Sequence, residues 1–368
     1  MELTKCKLGE LITQRREKND GSDLPICGVS KDGLIPPKQI DADTSIYNVF
    51  YRDDFIFNPA RMELNSIAIN DKYDRAICSS LYEVFYVHRT DLLLPHFLKL
   101  IVKQPWFTRY CEFLGQGSAR EYCRFNNISE IEIEFPSLEE QEKIVNQFSA
   151  IQNRIAIKKQ INDNLVNTTD AIFFKMFLER KPDATISFTD VVQLMGGGTP
   201  KTEEDSFWNG DILFFTPKDV SHSPFCISTE KHLTAEGLNN CSSRLYPPFT
   251  TFVTCRGTVG NLALAGISMA MNQSCYALKG KDDFPPLFVF SFTRYVIATM
   301  KKKASGAVFS ALVTRDFEME KVLDPNVDDA ILFQKRVEPL FAKILANTNE
   351  IQQLTDLQNT LLTQLSRR

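Results

Sequence analysis

The segment Val29-Ser30-Lys31-Asp32 returns as Thr216-Pro217-Lys218-Asp219, and Asn58-Pro59-Ala60-Arg61 with Ile67-Ala68-Ile69 returns as Thr254-Cys255-Arg256 with Leu262-Ala263-Leu264. Each copy then reaches a glycine and a proline nineteen residues apart, Gly117 to Pro136 and Gly306 to Pro325, before a long amphipathic stretch. Because the order of features is kept, the chain reads as a unit of about half its length made twice, a globular part followed by a helix.

At 368 residues and 43% hydrophobic content there is room for two ordinary domains with their own cores. No apolar run approaches the ~20 residues that would cross a bilayer, and the opening Met1-Glu2-Leu3-Thr4-Lys5 lacks the apolar stretch of a signal peptide, so a cytoplasmic location is expected. The nine cysteines are scattered, with no Cys-x-x-Cys pair, and read as reduced, buried, small apolar residues. A formal charge of −4 argues against a surface that grips phosphate everywhere. Acidic residues gather at Glu130 to Glu142 and around Asp324 to Asp329, whereas basic ones form local sets within the globular parts. Nucleic-acid binding is thereby permitted on parts of the surface.

Residues 1–137 read as short strands and turns, with strands at Ile67-Ala68-Ile69, Val84 to Val87 and Ile131 to Phe135, and a helix over Pro95 to Tyr110. Residues 183–326 repeat the mix, with strands at Ile212 to Phe215, Phe252 to Thr254 and Cys275 to Leu278, and a helix over Phe288 to Met300. Both are expected to be α+β domains. They alternate with a central helix, 138–182, and a C-terminal helix, 327–368.

In the central helix Ile144, Phe148, Ile151, Ile155, Lys158, Asn162, Leu165, Thr169, Ile172 and Met176 form a four-three seam, and in the last helix Val337, Leu340, Ile344, Asn347, Ile351, Leu354, Gln358, Leu361 and Leu365 do likewise. Phe341, Leu345, Leu357 and Leu362 widen the second apolar face. Polar seam residues weaken packing but restrict register and partner choice. The two helices are expected to pair with each other as an antiparallel coiled coil in a pseudo-twofold repeat, each ~52 Å long for ~35 residues, and so to act as a ruler between the domains.

Catalytic signatures are missing. Tyr246-Pro247-Pro248-Phe249 has a tyrosine where a base-flipping adenine methyltransferase needs Asn, Asp or Ser. The glycines of Gly196-Gly197-Gly198-Thr199-Pro200 run into a proline and polar residues, which suits a flexible loop rather than a cofactor-binding turn. Pro182-Asp183 lacks the acid-x-Lys of a nuclease, and His88, His96, His222 and His232 accompany no nucleophile elbow. The chain is expected not to be an enzyme.

Gly197-Gly198-Thr199-Pro200-Lys201-Thr202, Phe207-Trp208-Asn209-Gly210-Asp211-Ile212 and Phe215-Thr216-Pro217-Lys218-Asp219-Val220 resemble the opening of a target-recognition domain in the specificity subunits of type I restriction-modification systems. Thr254-Cys255-Arg256-Gly257-Thr258-Val259-Gly260-Asn261 resembles the next landmark of that family, and Glu139 to Val145 the start of its central helix. The first copy lacks the Gly-Gly-Thr-Pro loop and has Gln14-Arg15-Arg16-Glu17-Lys18 in its place. The resemblance implies two target-recognition domains, each reading half of a bipartite sequence in double-stranded DNA, with the helices setting the spacer. It implies two modification subunits as partners, and restriction and translocase subunits in a full complex. S-adenosylmethionine, ATP and Mg2+ are then expected on those partners and no cofactor on this chain. The alternative from another class is an interaction scaffold with no DNA role.

Major-groove readout favours Arg or Lys to guanine and Asn or Gln to adenine, while Lys, Arg, Ser, Thr and backbone N–H groups hold phosphate. The candidate contacts in the first copy are Arg15, Arg16, Lys31, Arg61, Arg120, Tyr122 and Arg124. In the second they are Gly198, Thr199, Lys201, Thr202, Lys218, Arg256 and Thr258. Recurrence pairs Lys31 with Lys218 and Arg61 with Arg256.

Overall fold

The computed structural model describes residues 3–37, 39–40, 43–115, 122–179, 185–303 and 311–366. Gly117, Gly306 and the candidate Arg120 lie outside them. The chain forms two compact units, residues 1–153 with 355–368, and residues 154–354.

In the first unit an antiparallel sheet runs in the order Ile12–Arg15, Glu83–Val87, Phe55–Phe57, Ile67–Ile69. In the second the order is Val192–Gly196, Cys275–Gly280, Thr251–Thr254, Leu262–Ala265, again antiparallel, with Phe225–Cys226 added in parallel. Each unit also has a parallel pair, Ile26–Ser30 beside Arg75–Cys78 and Trp208–Phe215 beside Met269–Met271. An antiparallel pair brackets the stretch ahead of the long helix in each copy, Thr4–Lys7 with Glu132–Phe135 and Thr185–Ser187 with Lys321–Leu323. The duplication seen in a few motifs thus extends to strand order, and the α+β class is as expected.

Burial explains why these runs are strands. Phe55–Phe57, inside the sheet, and Ile67–Ile69, at its end, are both wholly buried, and Phe55 stacks on Phe85 at 5.0 Å. In the second unit Phe173, Phe188, Phe288, Phe292 and Phe333 build an aromatic core around the helix Pro286–Lys303. The expected helix from Pro95 to Tyr110 is instead two, Pro95–Val102 and Pro105–Gly115. Pro105 has no N–H to continue the first and disfavours helical geometry at Gln104. All nine cysteines are free and seven are buried.

The helix Leu138–Phe173 continues into a π-helical turn, Phe174–Leu178, and the last helix is Val327–Ser366. Within the second unit they run antiparallel. Arg154 and Lys158 each reach Glu350 at 2.6 Å, Asn162 accepts from Asn347 Nδ2 at 2.9 Å, and Phe173 meets Phe333 at 5.6 Å. Partners therefore fall on one helix as they rise on the other. In the first unit Leu361, Leu362 and Leu365 pack on the core that holds Ile144 and Phe148. The seam holds with one exception, since Leu357 is 47% exposed rather than part of a widened apolar face. Among the described residues no helix is long and apolar enough to cross a membrane, and no group of three or more His, Cys, Asp or Glu could hold a metal.

Candidate nucleic-acid interface

Four of the candidate contacts in the first copy converge. Lys31, Arg61, Tyr122 and Arg124 line one groove of about 1250 Å³, together with Asn58, Asn65, Ser79, Ser80, Leu81 and Glu83. Lys31 sits in the turn after Ile26–Ser30, where Gly33 supplies a φ of +122° that other residues rarely adopt. Arg61 is exposed in the segment Pro59–Leu64, whose start is capped by Asn58 accepting from the Ala60 N–H at 3.1 Å. Arg124 lies 5.4 Å over the Tyr122 ring and donates to Glu83 at 3.1 Å.

Two residues that the sequence did not single out hold this groove in shape. Glu83 also accepts from the Phe125 N–H at 2.7 Å and from Gln14 Nε2 at 3.4 Å. Lys103, half-buried, donates to the Lys31 carbonyl at 2.7 Å, to Asn65 Oδ1 at 2.9 Å and to the Ile67 carbonyl at 2.8 Å. Desolvation pulls its ammonium pKa down to about 8.

Arg15 does not reach the groove. It forms a 2.6 Å ion pair with Asp54, whose side chain is 2% exposed, and lies 4.7 Å from the rings of both Tyr51 and Tyr86. Its strand position holds it half-buried against that carboxylate, so it serves the fold and leaves the candidate set. Arg16 is exposed and bonds Gln14 Oε1 at 2.8 Å, apart from the groove lining.

In the second unit three segments that lead to candidates are tied to a short turn, Asn272-Gln273-Ser274. The Gly198 N–H reaches the Met271 carbonyl at 3.2 Å, the Asn272 N–H reaches the Phe215 carbonyl at 3.0 Å, and the Cys255 N–H reaches the Ser274 carbonyl at 2.8 Å. The Thr199 hydroxyl donates to Gln273 Oε1. One turn therefore anchors the glycine loop, the segment leading to Lys218, and the segment leading to Arg256. The loop is not a loose one, which corrects the expectation of flexibility. A Cβ on Gly197 would lie 2.2 Å from the Asn272 carbonyl oxygen and one on Gly198 2.3 Å from Ser242 Oγ, so only glycine permits this approach.

Lys201, Thr202, Lys218, Arg256 and Thr258 are all exposed. The Lys201 carbonyl accepts from Trp208 Nε1 at 3.1 Å, and Lys218 lies in the turn Pro217–Asp219 closed by Asp219 on the Thr216 N–H at 2.7 Å. Tyr246, of the Tyr-Pro-Pro-Phe sequence, is buried and donates its hydroxyl to the Gly196 carbonyl at 2.9 Å, a packing role. Asn272 and Gln273 escaped the sequence reading. The signal was a polar break between two apolar runs, with Ser79-Ser80 as its counterpart in the first copy.

The recurrent pairs share loops but not register. Cys27 pairs with Cys78 and Phe215 with Met271, which places Lys31 four residues past its reference and Lys218 three. Arg61 and Arg256 match when counted back from Ile67 and Leu262, and are offset by one when counted forward from Phe57 and Val253, because the first loop holds one more residue.

Comparison with known proteins accounts for this doubled architecture. The type I restriction modification DNA specificity domain matches residues 6–167 and again residues 184–356. The specificity subunit of type I restriction enzyme HindI from Haemophilus influenzae is 20% identical over 81% of this chain and 82% of its own length. That of MjaIX from Methanocaldococcus jannaschii is 28% identical over 33% of this chain and 29% of its own. The crystal structure of a type I restriction-modification S subunit from M. genitalium shares the fold, with a TM-score of 0.62 at 16% identity, covering 99% of this chain and 96% of that one. This chain belongs to the type I restriction modification DNA specificity family and carries its domain twice.

Proposed function

We propose that this chain is the sequence-reading subunit of a type I restriction-modification complex, in which each copy of the domain reads one half of a bipartite site in double-stranded DNA. What carries the reading is the doubled DNA specificity domain; the first copy lines one groove with Lys31, Arg61 and Arg124, and the second ties the segments leading to Lys218 and Arg256 to one turn. The chain itself performs no chemistry in this scheme. Two modification subunits supply S-adenosylmethionine and methylate adenine, and restriction subunits, where present, supply the ATP- and Mg2+-dependent motor. The paired helices set the gap between half-sites, and their outer faces, acidic at Glu139, Glu140, Asp328 and Asp329, offer docking surfaces.

Lys31, Arg61, Tyr122 and Arg124 serve one half-site, and Thr199, Lys201, Lys218, Arg256 and Thr258 the other. The test is methylation sequencing in a methylation-deficient host that expresses this chain with its own modification subunit. Adenine methylation in a single bipartite motif, lost when this chain is omitted, is expected, and a soluble assembled complex that methylates nothing would overturn the proposal. Within that complex Arg256→Ala should relax one position at ~1–3 kcal/mol, while Lys218→Ala should weaken all sequences alike and reduce the salt slope.

A further inference from the structure

One turn keeps the same backbone in both copies while its side chains differ in kind. Between Arg75–Cys78 and Glu83–Val87 the chain reads Ser79-Ser80-Leu81-Tyr82, and between Met269–Met271 and Cys275–Gly280 it reads Asn272-Gln273-Ser274 before Cys275. Ser79 Oγ accepts from the Leu81 N–H at 3.3 Å, as Asn272 Oδ1 accepts from the Ser274 N–H at 3.1 Å. The Ser79 carbonyl accepts from the Tyr82 N–H at 3.0 Å, as the Asn272 carbonyl does from the Cys275 N–H at 3.3 Å. Ser80 therefore stands where Gln273 stands, and Leu81 where Ser274 does.

The surroundings of the two turns are alike in chemistry. Lys31, Arg61 and Arg124 flank the first in its groove, and the segments bearing Lys218 and Arg256 are anchored to the second. Lysines such as Lys31 and Lys218 grip phosphate whatever the sequence, and Arg256 is the base-reading candidate proposed above. The turn side chains are further groups that can tell bases apart. Gln273 is exposed, and Thr199 orients its carboxamide by donating to Oε1. A carboxamide presents the donor and acceptor that match adenine N7 and N6 in the major groove. Leu81 is 78% exposed at the groove beside Lys31, Arg61 and Arg124, too exposed to serve packing, and an apolar group there suits the thymine methyl.

We propose that this turn is a base-discriminating element of each copy, with Gln273, held by Thr199, reading an adenine in one half-site and Leu81 meeting a thymine methyl in the other. The inference rests on the DNA-reading function proposed above. Methylation sequencing of the complex with its modification subunit tests it. Gln273→Ala should raise methylation of sites with the wrong base at one position of one half-site by about 5- to 150-fold relative to the wild-type motif. Thr199→Val should loosen the same position less. Gln273→Glu, nearly isosteric and acceptor-only, should shift that position from adenine towards cytosine, and it decides the matter if the alanine variant does not fold. Leu81→Ala should act only on the other half-site. Unchanged base preference in both Gln273→Glu and Leu81→Ala, or an equal loss over all sequences at unchanged melting temperature, overturns the role of the turn. A wild-type complex that methylates no bipartite motif would instead overturn the function on which it rests.

Discussion

Arg15 and Met195 occupy the same place in sheets that match strand for strand, since Arg15 pairs with Val84 and Met195 with Ala277. Their neighbours Asp54 and Thr250 are equally matched. Each follows a residue with left-handed backbone, Asp53 at φ 65° and Phe249 at φ 67°, and each carbonyl accepts an N–H from the next strand, that of Asn70 at 2.8 Å or Ala265 at 2.9 Å. The first copy fills the space with the Arg15–Asp54 pair, its carboxylate buried and its guanidinium half-buried beside two tyrosine rings. The second has a methionine packed against the cluster that contains Phe215, and a threonine whose hydroxyl donates to the Pro247 carbonyl at 2.8 Å. Duplicated domains thus keep the backbone while exchanging a side-chain pair together, because either member alone would leave a buried charge or a void.

The largest effect should come from splitting that pair. Arg15→Ala leaves the Asp54 carboxylate buried without its cation and should cost the first unit about 3–5 kcal/mol. Joint replacement by the residues of the second copy, Arg15→Met with Asp54→Thr, should recover most of it, because well-packed apolar groups replace buried ion pairs at little cost. Urea unfolding midpoints of the three proteins decide. A loss below about 1 kcal/mol for Arg15→Ala would return it to the candidate DNA contacts.

The helices show the same contrast in milder form. In the first unit Leu361, Leu362 and Leu365 pack on an apolar core, whereas in the second the seam includes Lys158 on Glu350 and the buried Asn162–Asn347 pair. Asn347→Leu should cost about 1–3 kcal/mol by stranding the Asn162 carboxamide and one Lys158 contact. Changing both asparagines to leucine should restore stability yet loosen register, because amides on a seam specify pairing rather than strength. Crosslinking between cysteines placed on the two helices would detect the slip, and a double variant with unaltered crosslinks would show that register is set elsewhere.

Much of this could be read before any coordinates. Repeated motifs gave away the duplication, and seams spaced four-three gave the two helices, since both signals are local and periodic. The helix break at Pro105 was equally local, and was missed because apolar periodicity continues through it. Arg15 was misread for a deeper reason. Its partner Asp54 is 39 residues away, and only strand register brings them together. Gln273 and Leu81 were hidden likewise, for a polar turn becomes a candidate reader only once basic segments from other strands are seen to gather round it.

The smallest expected effect concerns two lysines that do the same job unequally. Lys301 donates to the Gly260 carbonyl at 3.0 Å, as Lys103 donates to Asn65, and both acceptors sit at positive φ, 75° and 52°. Lys301 is exposed, whereas Lys103 serves three acceptors in a half-buried site that pulls its pKa down to about 8. The folded protein therefore releases the Lys103 proton at lower pH than the unfolded chain, whose lysines titrate near 10.4. More protons on the unfolded state mean that stability rises with pH, so this contribution is present above the unfolded pKa and lost as pH falls through about 8. Lys103→Met should abolish that rise, an effect held below about 1 kcal/mol because part of the side chain still meets water. Urea midpoints at pH 7 and pH 10 read it, with Lys301→Met as the matched control. An unchanged pH slope in Lys103→Met would mean that its three acceptors hold the proton as firmly as water does.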